Sequence, residues 1–435
     1  MKVKPAHDVV RICQDLIRID TSNYGDESGP GERAAAEYVA AFLSDLGLDP
    51  VIRESEPGRA SLTCLWEGTD RTRDPLVVHG HLDVVPAFPE DWSVDPFAAE
   101  IKQGMIWGRG AVDMKNMDAM ILACVASMME AKVKPARDIV LAFFADEEHG
   151  GGHGAKWMAA NHRDDFRGAT EAISEVGGFS TEINGRRAYL IQTAEKGIQW
   201  LRLVSTGKQG HGSLIHDDNA VTHLAAALAR IGTYAWPLDV TPTVEHLLRG
   251  VADLTGDTYE PTEECVSRLI GQLGSTARFV EATVRNTANP TMMTAGYKTN
   301  VIPDAATGFV DTRFLAGQQE QVLRTVEELA GTHVKVEPYI MERALDFPFE
   351  STLVDKMVSA LGAEDPGAPI LPYALSGGTD NKHLAGIGIA GYGFAPLQLP
   401  PELDFPSLFH GVDERVPIDG LHFGVKVLER FLKDC

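Results

Sequence analysis

The first part of the chain alternates short, unbroken apolar segments with helical patterns. "PLVVHGHLDVV" and "DIVLAFFA" predict strands, whereas "AAAEYVAAFLSDLG" and "MDAMILACVASMMEA" predict helices. Strands that are apolar on both faces and separated by helices are typical of an α/β domain with a largely parallel sheet. In such sheets, ligands bind beyond the carboxyl ends of the strands. We therefore look for a site at those ends.

The middle of the chain has a different pattern. "AYLIQTAEKGIQWLRLVSTG" and "TNVIPDAATGFVDTRFLA" alternate as half-buried strands do, and a helix pattern, "DNAVTHLAAALARIG", lies between them. This order predicts a small α+β domain inserted into the α/β domain. We expect a catalytic domain at 1–190 and 345–435 and an inserted lid at 191–344. The segment 235–290 contains further amphipathic stretches without a readable motif. By default, we expect this segment to be only additional cover of the lid or part of an interface.

Charge and cysteine usage restrict the partners and the compartment. The 39 basic and 62 acidic residues give a formal charge of −23, which disfavours nucleic acid or an anionic membrane as the main partner. The longest apolar stretch, "AMILACVASMM", is too short to span a bilayer, and the N-terminus has no signal-peptide pattern. The cysteines are scattered and odd in number, which indicates a reducing compartment. We expect a cytoplasmic protein.

One predicted strand ends on three consecutive acids, in "VLAFFADEEHGG". Neighbouring carboxylates raise one another's pKa unless a positive charge lies nearby. In the preceding strand His79, His81 and Asp83 alternate, so they would share one face. One reading is a hydrogen-bonded core histidine. The other is a metal-binding His81 whose ring is oriented by the Asp83 carboxylate.

Other acids and a histidine stand at strand ends and glycine-flanked turns. Asp113 precedes a helix in "WGRGAVDMKNMDA", Glu148 closes the acid triplet, Glu175 ends "AISEV", and His410 lies in "LFHGVDERVP". Each has an ordinary explanation on its own, such as a helix N-cap for Asp113. Together with His81 they fit a metal site of oxygen and nitrogen ligands that needs no thiolate.

At this point the chain resembles the ArgE/DapE/aminoacylase/glutamate carboxypeptidase family of co-catalytic zinc hydrolases. The motifs occur in order along essentially the whole chain: "HGHLD", "GRGAVDMK", "ADEEHGG", "SEVGG", "GKQGHGS" and "FHGVDE". The resemblance implies a zinc aminopeptidase-like α/β domain with an inserted lid that often dimerises. Asn116, where the family usually has glycine, and the form "SEVGG" depart from the pattern, although neither removes a ligand.

The resemblance also implies the metal ligands. His81 and Glu175 would hold one zinc ion, Glu148 and His410 the other, and Asp113 would bridge them. The peptide bond after Asp113 would be cis. The implied cofactors are two Zn²⁺ per subunit, for which Co²⁺ or Mn²⁺ can substitute. Two such ions would supply the positive charge that the acid triplet lacks.

Two catalytic groups follow from the same resemblance. Glu147 would act as general base, taking a proton from the water held at the metals and passing it to the leaving nitrogen. His211 would reach a neighbouring active site and stabilise the oxyanion, which implies a homodimer through the lid. The ordinary reading of His211 is a surface turn histidine. The proline that usually follows this motif is replaced around Leu214.

Substrate recognition is expected in "KTNVIPD", "VDTRF" and "LSGGTDNKH". Arg313 offers a planar fork for a carboxylate, with a surface salt bridge as its alternative. Asn300 can hydrogen-bond the substrate, and Gly377 and Gly378 allow close backbone approach. All four match family positions that bind the substrate. The expected partner is therefore a small molecule with a free carboxylate.

The predicted activity is hydrolysis of an amide bond next to a free carboxylate, with N-acyl-amino acids as the first choice of substrate. Glutamate at position 175, rather than aspartate, resembles the deacylase members of the family more than the dipeptidases. A carboxypeptidase or dipeptidase is the alternative within enzymes. A non-catalytic binding relative is the alternative outside them, but such relatives typically lose ligands or the base.

Overall fold

A computed structural model describes residues 7–26 and 28–435. Its strands are, in chain order, β1 (Val51–Glu56), β2 (Arg59–Trp66), β3 (Leu76–His81), β4 (Glu100–Lys102), β5 (Met105–Trp107), β6 (Ile139–Phe144), β7 (Glu171–Ser174), β8 (Phe179–Ile183), β9 (Arg186–Glu195), β10 (Gly197–Thr206), β11 (Gly210–His211), β12 (Thr287–Ala295), β13 (Val301–Ile302), β14 (Ala305–Phe314), β15 (Val334–Glu342), β16 (Leu345–Asp346), β17 (Ile370–Leu375), β18 (Ala390–Gly393) and β19 (Arg415–Pro417). Its α-helices are α1 (Val9–Ile17), α2 (Arg33–Asp45), α3 (Lys115–Glu130), α4 (Ala155–Asn161), α5 (Ala220–Gly232), α6 (Pro242–Thr255), α7 (Glu263–Gly271), α8 (Ala277–Val280), α9 (Gln319–Ala330), α10 (Thr352–Glu364), α11 (Asn381–Ala385) and α12 (Ile418–Asp434). None of these described helices is long and apolar enough to cross a membrane.

The main sheet has the order β1-β2-β6-β3-β7-β18-β9-β16, with β8 and β17 also pairing with β9. Strands β6, β3, β7 and β18 run parallel, and β1 and β2 add an antiparallel edge. The α/β architecture with a mostly parallel sheet is thus confirmed. In β3 and β6 every residue is buried, as the apolar sequence of β6 and the apolar first half of β3 predict.

Helices cover both faces of this sheet. Leu76 and Val78 of β3 belong to one core cluster, which also contains α1, α3 and α12 residues. Val77, from the same strand, belongs to a second cluster with residues of α4 and α11. Successive strand residues point to opposite faces, so this split shows that the sheet lies between two helical layers.

The parallel strands bring their carboxyl ends to one edge. β3 ends at His81, β6 leads into the acid triplet after Phe144, and β7 leads into Glu175. A strand order of β6-β3-β7 places these ends side by side. The predicted site residues therefore meet because of the sheet topology.

A second sheet, β12-β14-β10-β15, is antiparallel throughout. Helices α5 and α9 pack on one of its faces around Leu201, Leu203 and Val310. Alternate residues on β10 and β14 are only half-buried, including Ile198, Trp200 and Arg313, and these occupy the opposite face. This sheet with its two helices is the lid, and its uncovered face carries those three side chains.

The chain passes from the main sheet to the lid sheet at Lys196, between β9 and β10. It returns between β15 and β16. Helices α6, α7 and α8 lie within the insertion in sequence, yet their buried residues belong to the main core cluster, and α6 contacts β17, β8 and β9. The domain bounds at 190 and 345 stay a prediction. The packing, however, assigns the helices of segment 235–290 to the domain built around the main sheet, which we call the catalytic body. The apolar faces of these helices are covered there and not by the lid.

Candidate metal centre and active-site cleft

Three predicted ligands meet at the carboxyl edge of the sheet. His81 ends β3, Glu175 follows β7, and Asp113 lies in the turn before α3. His81 Nε2 is 3.1 Å from Asp113 Oδ1 and 3.7 Å from Glu175 Oε2. All three side chains are buried. Because their donor atoms lie within 4.8 Å of one another, they could hold one metal ion.

The other two predicted ligands meet on the opposite side of Asp113. His410 Nε2 is 3.0 Å from Glu148 Oε2 and 3.2 Å from Asp113 Oδ2. These three residues form a second group that could hold a metal ion. Asp113 thus offers one oxygen to each group, as a bridging ligand would. The peptide bond between Asp113 and Met114 is cis, as the resemblance implied.

The site holds more negative charge than its histidines balance. Burial raises the pKa of Glu175 to about 7, and the neighbouring Asp113 adds to the effect. Burial and Asp113 likewise raise the pKa of Glu148. Hydrogen bonds with Asp113 and Glu148 raise the pKa of His410 to about 10. A bound cation would stabilise the ionised form of these crowded, buried carboxylates. The electrostatics of the site therefore favour metal ions.

Glu147 lies beside both groups without belonging to either. It begins the 3₁₀ turn Glu147–His149 after β6, and its Oε2 is 4.0 Å from His81 Nε2. Burial raises the pKa of Glu147 well above its usual range, with Glu175 adding to the shift. A carboxylate next to a metal group, but outside its ligand set, is placed to exchange protons there.

Asp83 differs in detail from the expectation. The strand ends at His81, and His81 Nδ1 lies 3.0 Å from the Asp83 carbonyl oxygen, whereas the nearest carboxylate oxygen is 3.6 Å away. The Asp83 carboxylate instead accepts hydrogen bonds from the main-chain N–H groups of Glu147 and Glu148 and from Asn23 Nδ2. Asp83 therefore holds both the histidine and the turn that carries the two glutamates.

His79 is the hydrogen-bonded core histidine of this segment. It is buried, and its Nε2 lies 2.9 Å from the side-chain oxygen of Asn381 on α11. It belongs to neither metal group. The core-histidine reading thus applies to His79, whereas His81 belongs to a candidate metal group and has the main-chain oxygen of Asp83 at its Nδ1.

Glu414 supports the site from the C-terminal segment, a role that sequence reasoning missed. Its buried carboxylate accepts the main-chain N–H of Val112 at 2.6 Å, of Asp113 at 3.0 Å and of Gly110 at 3.1 Å, and pairs with Arg109. It thereby fixes the turn that presents Asp113. The only signal for it was its place at the end of the motif "FHGVDE".

A cavity of about 480 Å³ lies over the metal groups, between the catalytic body and the lid. Its polar lining includes the residues Asp113, Glu147, Glu148, Glu175, Arg313, Gly377, Gly378, Asp380, His383 and His410. Its apolar lining includes Val176, Ile198, Trp200, Phe279, Ile340, Leu375 and Phe409. Cavities of ~300–1,000 Å³ are the usual size for small-molecule sites. Asp380 and His383 are lining residues to which the sequence gave no role.

Arg313 lines the cavity but is also paired within the lid. Its Nε and Nη2 bind the two carboxylate oxygens of Asp311 at 2.7 and 3.0 Å. The salt bridge that served as the alternative reading is therefore present, although it lies at the cleft. Two edges of a guanidinium can bind separate partners, so Asp311 orients Arg313 and leaves its remaining N–H groups for a ligand.

His211 and Asn300 lie together on the lid, outside the cavity lining. β11, which contains His211, pairs with β13, and Asn300 O accepts a hydrogen bond from Gly212 N at 2.9 Å. Both side chains are exposed, and His211 Nδ1 bonds Ser213 Oγ at 2.8 Å. Within a single chain, the structure brings these two residues to each other and not to the metal groups.

Comparisons with solved structures support the fold. The M20 family metallo-carboxypeptidase Sso-CP2 from Sulfolobus solfataricus superposes with a TM-score of 0.73 at 18% identity, covering 98% of both chains. Human carnosine dipeptidase 1 gives a TM-score of 0.66 at 14% identity, covering 98% of this chain and 96% of the other. Both likenesses extend over the catalytic body and the lid.

Sequence comparisons cover the same extent. The N-fatty-acyl-amino acid synthase/hydrolase PM20D1 of Xenopus tropicalis is 25% identical over 97% of this chain and 85% of its own length. Human aminoacylase-1 is 26% identical over 98% of this chain and 95% of its own length. The probable carboxypeptidase S-like 1 of Dictyostelium discoideum is 26% identical over 99% of this chain and 88% of its own length. Residues 77–434 match the model of peptidase family M20/M25/M40, which takes in His81, Asp113, Glu148, Glu175 and His410. The chain therefore belongs to peptidase family M20/M25/M40, and it is a metallohydrolase acting on amide or peptide bonds.

Proposed function

We propose that this protein is a dinuclear zinc hydrolase that cleaves an amide bond next to a free carboxylate, with N-acyl-amino acids as its substrates. The observation that carries the proposal is the pair of three-residue groups that share Asp113 and have Glu147 beside them. Five candidate ligands and a candidate base gathered at one site also argue against a non-catalytic binding relative.

The donor set fits the proposed metals. Each group consists of one histidine and two carboxylates, and Zn²⁺ binds imidazole nitrogen and carboxylate oxygen well. Co²⁺ and Mn²⁺ accept the same donors, so they should substitute. When bound, two such ions supply a water of lowered pKa and polarise the scissile carbonyl. His81 and Glu175 would hold one ion, Glu148 and His410 the other, with Asp113 between them.

The remaining steps belong to the chain's own residues. Glu147 accepts a proton from the water that attacks the carbonyl carbon and gives that proton to the amide nitrogen as the C–N bond breaks. Asp83 keeps Glu147 in place through the main-chain hydrogen bond. The free edge of Arg313 binds the substrate carboxylate, next to the backbone of Gly377 and Gly378 in the cavity wall.

His211 completes the site from a second copy of the chain. Because neither His211 nor Asn300 lines the cavity of its own chain, both are available to a neighbouring one. The edge strand β12 of the lid sheet exposes Met292 and Met293, an apolar surface suited to pairing across a two-fold axis. We propose a homodimer through the lids, in which His211 donates a hydrogen bond to the oxyanion.

Deacylation is preferred over peptide hydrolysis for two reasons. Glu175 resembles the deacylase form of the motif, and human aminoacylase-1 and the Xenopus N-fatty-acyl-amino acid synthase/hydrolase are similar along almost the whole chain. The similar Dictyostelium protein, a probable carboxypeptidase, keeps carboxypeptidase or dipeptidase activity as the second candidate. All five cysteines are unpaired and buried, which supports a reducing, cytoplasmic location.

A hydrolysis screen tests the proposal. Metal-loaded protein is incubated with matched N-acyl-amino acids and dipeptides that share the same C-terminal residue, and the released amine is quantified. We expect kcat/KM to be at least tenfold higher for the N-acyl-amino acids. A preference for dipeptides would move the assignment to the second candidate, and no hydrolysis of either set would overturn both.

A further inference from the structure

We propose that the segment 242–284 builds one wall of the substrate pocket, and that this wall, through Phe279, binds a large apolar acyl group. The inference rests on the proposed function and names its substrate class. It also gives a role to the helices α6, α7 and α8, which sequence analysis left without one.

The segment is anchored firmly to the catalytic body. Leu247 and Leu248 of α6 and Leu269 of α7 are completely buried in the main core cluster, and α6 packs on β17. The short helix α8 follows and also contacts β17. An anchored segment of this kind holds its side chains in fixed positions, which a mobile cover would not.

Phe279, on α8, is the side chain that this segment contributes to the cavity. It packs edge-on against Phe409 at 5.4 Å between ring centroids and against Phe179 at 6.0 Å. Phe279 and Phe409 are only half-buried, so each keeps part of its ring open toward the cavity. Phe409 directly precedes the candidate ligand His410, which places this aromatic wall beside the metal centre.

The candidate carboxylate partner and the aromatic wall lie on different parts of the molecule. Arg313, the candidate carboxylate partner, is on the lid sheet, where it pairs in register with Ile198. The aromatic wall is on the catalytic body, next to His410. An N-acyl-amino acid has its carboxylate on the nitrogen side of the scissile bond and its acyl chain on the other. With the carboxylate at Arg313, the acyl chain extends along Phe279 and Phe409.

The substrate class follows from the chemistry of this wall. Two aromatic rings offer a large apolar surface and no hydrogen-bond partner for a polar acyl group. Each methylene buried against such a surface strengthens binding. The acyl group is therefore a medium or long aliphatic chain or an aryl group, because an acetyl group, with a single methyl, would leave most of this surface uncovered.

The first test uses the unaltered, metal-loaded protein. We measure kcat/KM for N-acetyl, N-butanoyl, N-hexanoyl and N-octanoyl derivatives of one amino acid, and then for N-acetyl derivatives of several amino acids. The expected result is a rise of at least tenfold from acetyl to octanoyl. Hydrolysis with no dependence on chain length would overturn this inference and leave the proposed function standing. No hydrolysis of any derivative would overturn the proposed function itself.

The second test changes the wall. Phe279→Ala should lower kcat/KM for the N-octanoyl substrate by about 10- to 100-fold and change that for the N-acetyl substrate by less than about threefold. Phe279→Leu, which keeps an apolar side chain, should restore most of the octanoyl activity. Phe349→Ala is the matched control, because Phe349 is half-buried against the same core, packs edge-on against His246 and does not line the cavity.

The two substrate series separate the possible outcomes. An equal loss on acetyl and octanoyl substrates, or a similar loss in Phe349→Ala, would make Phe279 a structural residue. A loss that follows the amino acid side chain and not the acyl length would assign the wall to the other half of the substrate and overturn the inference.

Discussion

The carboxylate of Asp83 accepts a hydrogen bond from the main-chain N–H of Glu147 at 3.0 Å. The second carboxylate oxygen accepts the N–H of Glu148 at 3.1 Å. One buried side chain thus fixes the backbone of both the proposed base and a proposed metal ligand. Because the Asp83 carboxylate fixes the turn that contains both glutamates, their side chains can point in different directions. Two adjacent glutamates can therefore be proposed for two different roles.

Replacing Asp83 with asparagine should therefore loosen both glutamates. Asparagine has one side-chain oxygen and one NH₂ group, whereas both carboxylate oxygens of Asp83 accept main-chain N–H groups. In the variant, at least one of these N–H groups would therefore face the NH₂ group and lose its acceptor. We expect metal affinity or kcat to fall by about 10- to 100-fold, as is usual when a group supporting metal ligands is lost. Zinc competition with a chelator and steady-state kinetics measure this, with exposed Asp70→Asn as the control. Unchanged affinity and kcat would show that the hydrogen bonds to Asp83 are dispensable.

Glu147→Gln should keep both metal ions and lower kcat by about 10²- to 10⁴-fold, because it removes the base and no ligand. Glu148→Gln is the matched comparison one residue later, and it should lose an ion because Glu148 lies within a ligand group. Metal content is determined by mass spectrometry on the purified variants. If Glu147→Gln loses an ion while Glu148→Gln keeps both, the two roles are reversed.

Removal of the metals should abolish activity. Dialysis against a strong chelator is expected to leave a folded, inactive protein, and Zn²⁺, Co²⁺ or Mn²⁺ should restore turnover. Titration should show activity reaching its maximum at two ions per subunit. Full activity in protein verified as metal-free would overturn the mechanism.

Arg313→Ala should raise KM for substrates with a free carboxylate by about 30- to 150-fold, corresponding to ~2–3 kcal/mol for a lost charge-assisted contact. Substrates with an amidated C-terminus should be poor for the unaltered protein and nearly insensitive to the change. Arg202→Ala is the control, since Arg202 is also on the lid sheet and pairs with Glu337 at the surface. Equal losses on both kinds of substrate would make the Arg313–Asp311 pair structural.

His211→Ala should be nearly inactive with its metals intact, because an oxyanion donor contributes about 10²- to 10³-fold in rate. If the histidine acts on the neighbouring subunit, mixing His211→Ala with Glu147→Gln regenerates one working site per heterodimer. Equal random mixing should recover up to about one quarter of the unaltered activity. His246→Ala, a half-exposed histidine away from the cavity, controls for general effects. Confirmed subunit exchange without recovery would rule out action in trans.

Sequence reasoning located the metal centre because the relevant signals are local. His81 and Glu175 stand at the ends of apolar segments, and the parallel strands that those segments predict bring such ends to one edge. The pairing of ligands into two groups around Asp113 was not local information. It came from the resemblance, and the observed distances agree with it.

Other features could not be predicted because they depend on contacts between distant parts of the chain. Glu414 binds main-chain N–H groups about 300 residues away, and main-chain groups leave no residue pattern. The sequences of α6 and α7 predict that each helix has an apolar face. They do not show whether the lid or the catalytic body covers that face. The pair of Asp311 and Arg313 is different, because two residues apart on one strand share a face and the alternation in "VDTRF" could have indicated it.

The position of β18 in the main sheet has a consequence for biosynthesis. β18 (Ala390–Gly393) lies between β7 and β9, so two strands made early are joined by one made almost last. While the ribosome is still making the lid, β7 has an open edge, and open edges invite pairing with other nascent chains. The whole lid is therefore synthesised before β18 is available to pair with β7 and β9 and complete the main sheet. Chains released before residue 393 would lack the strand that unites the two halves of the sheet.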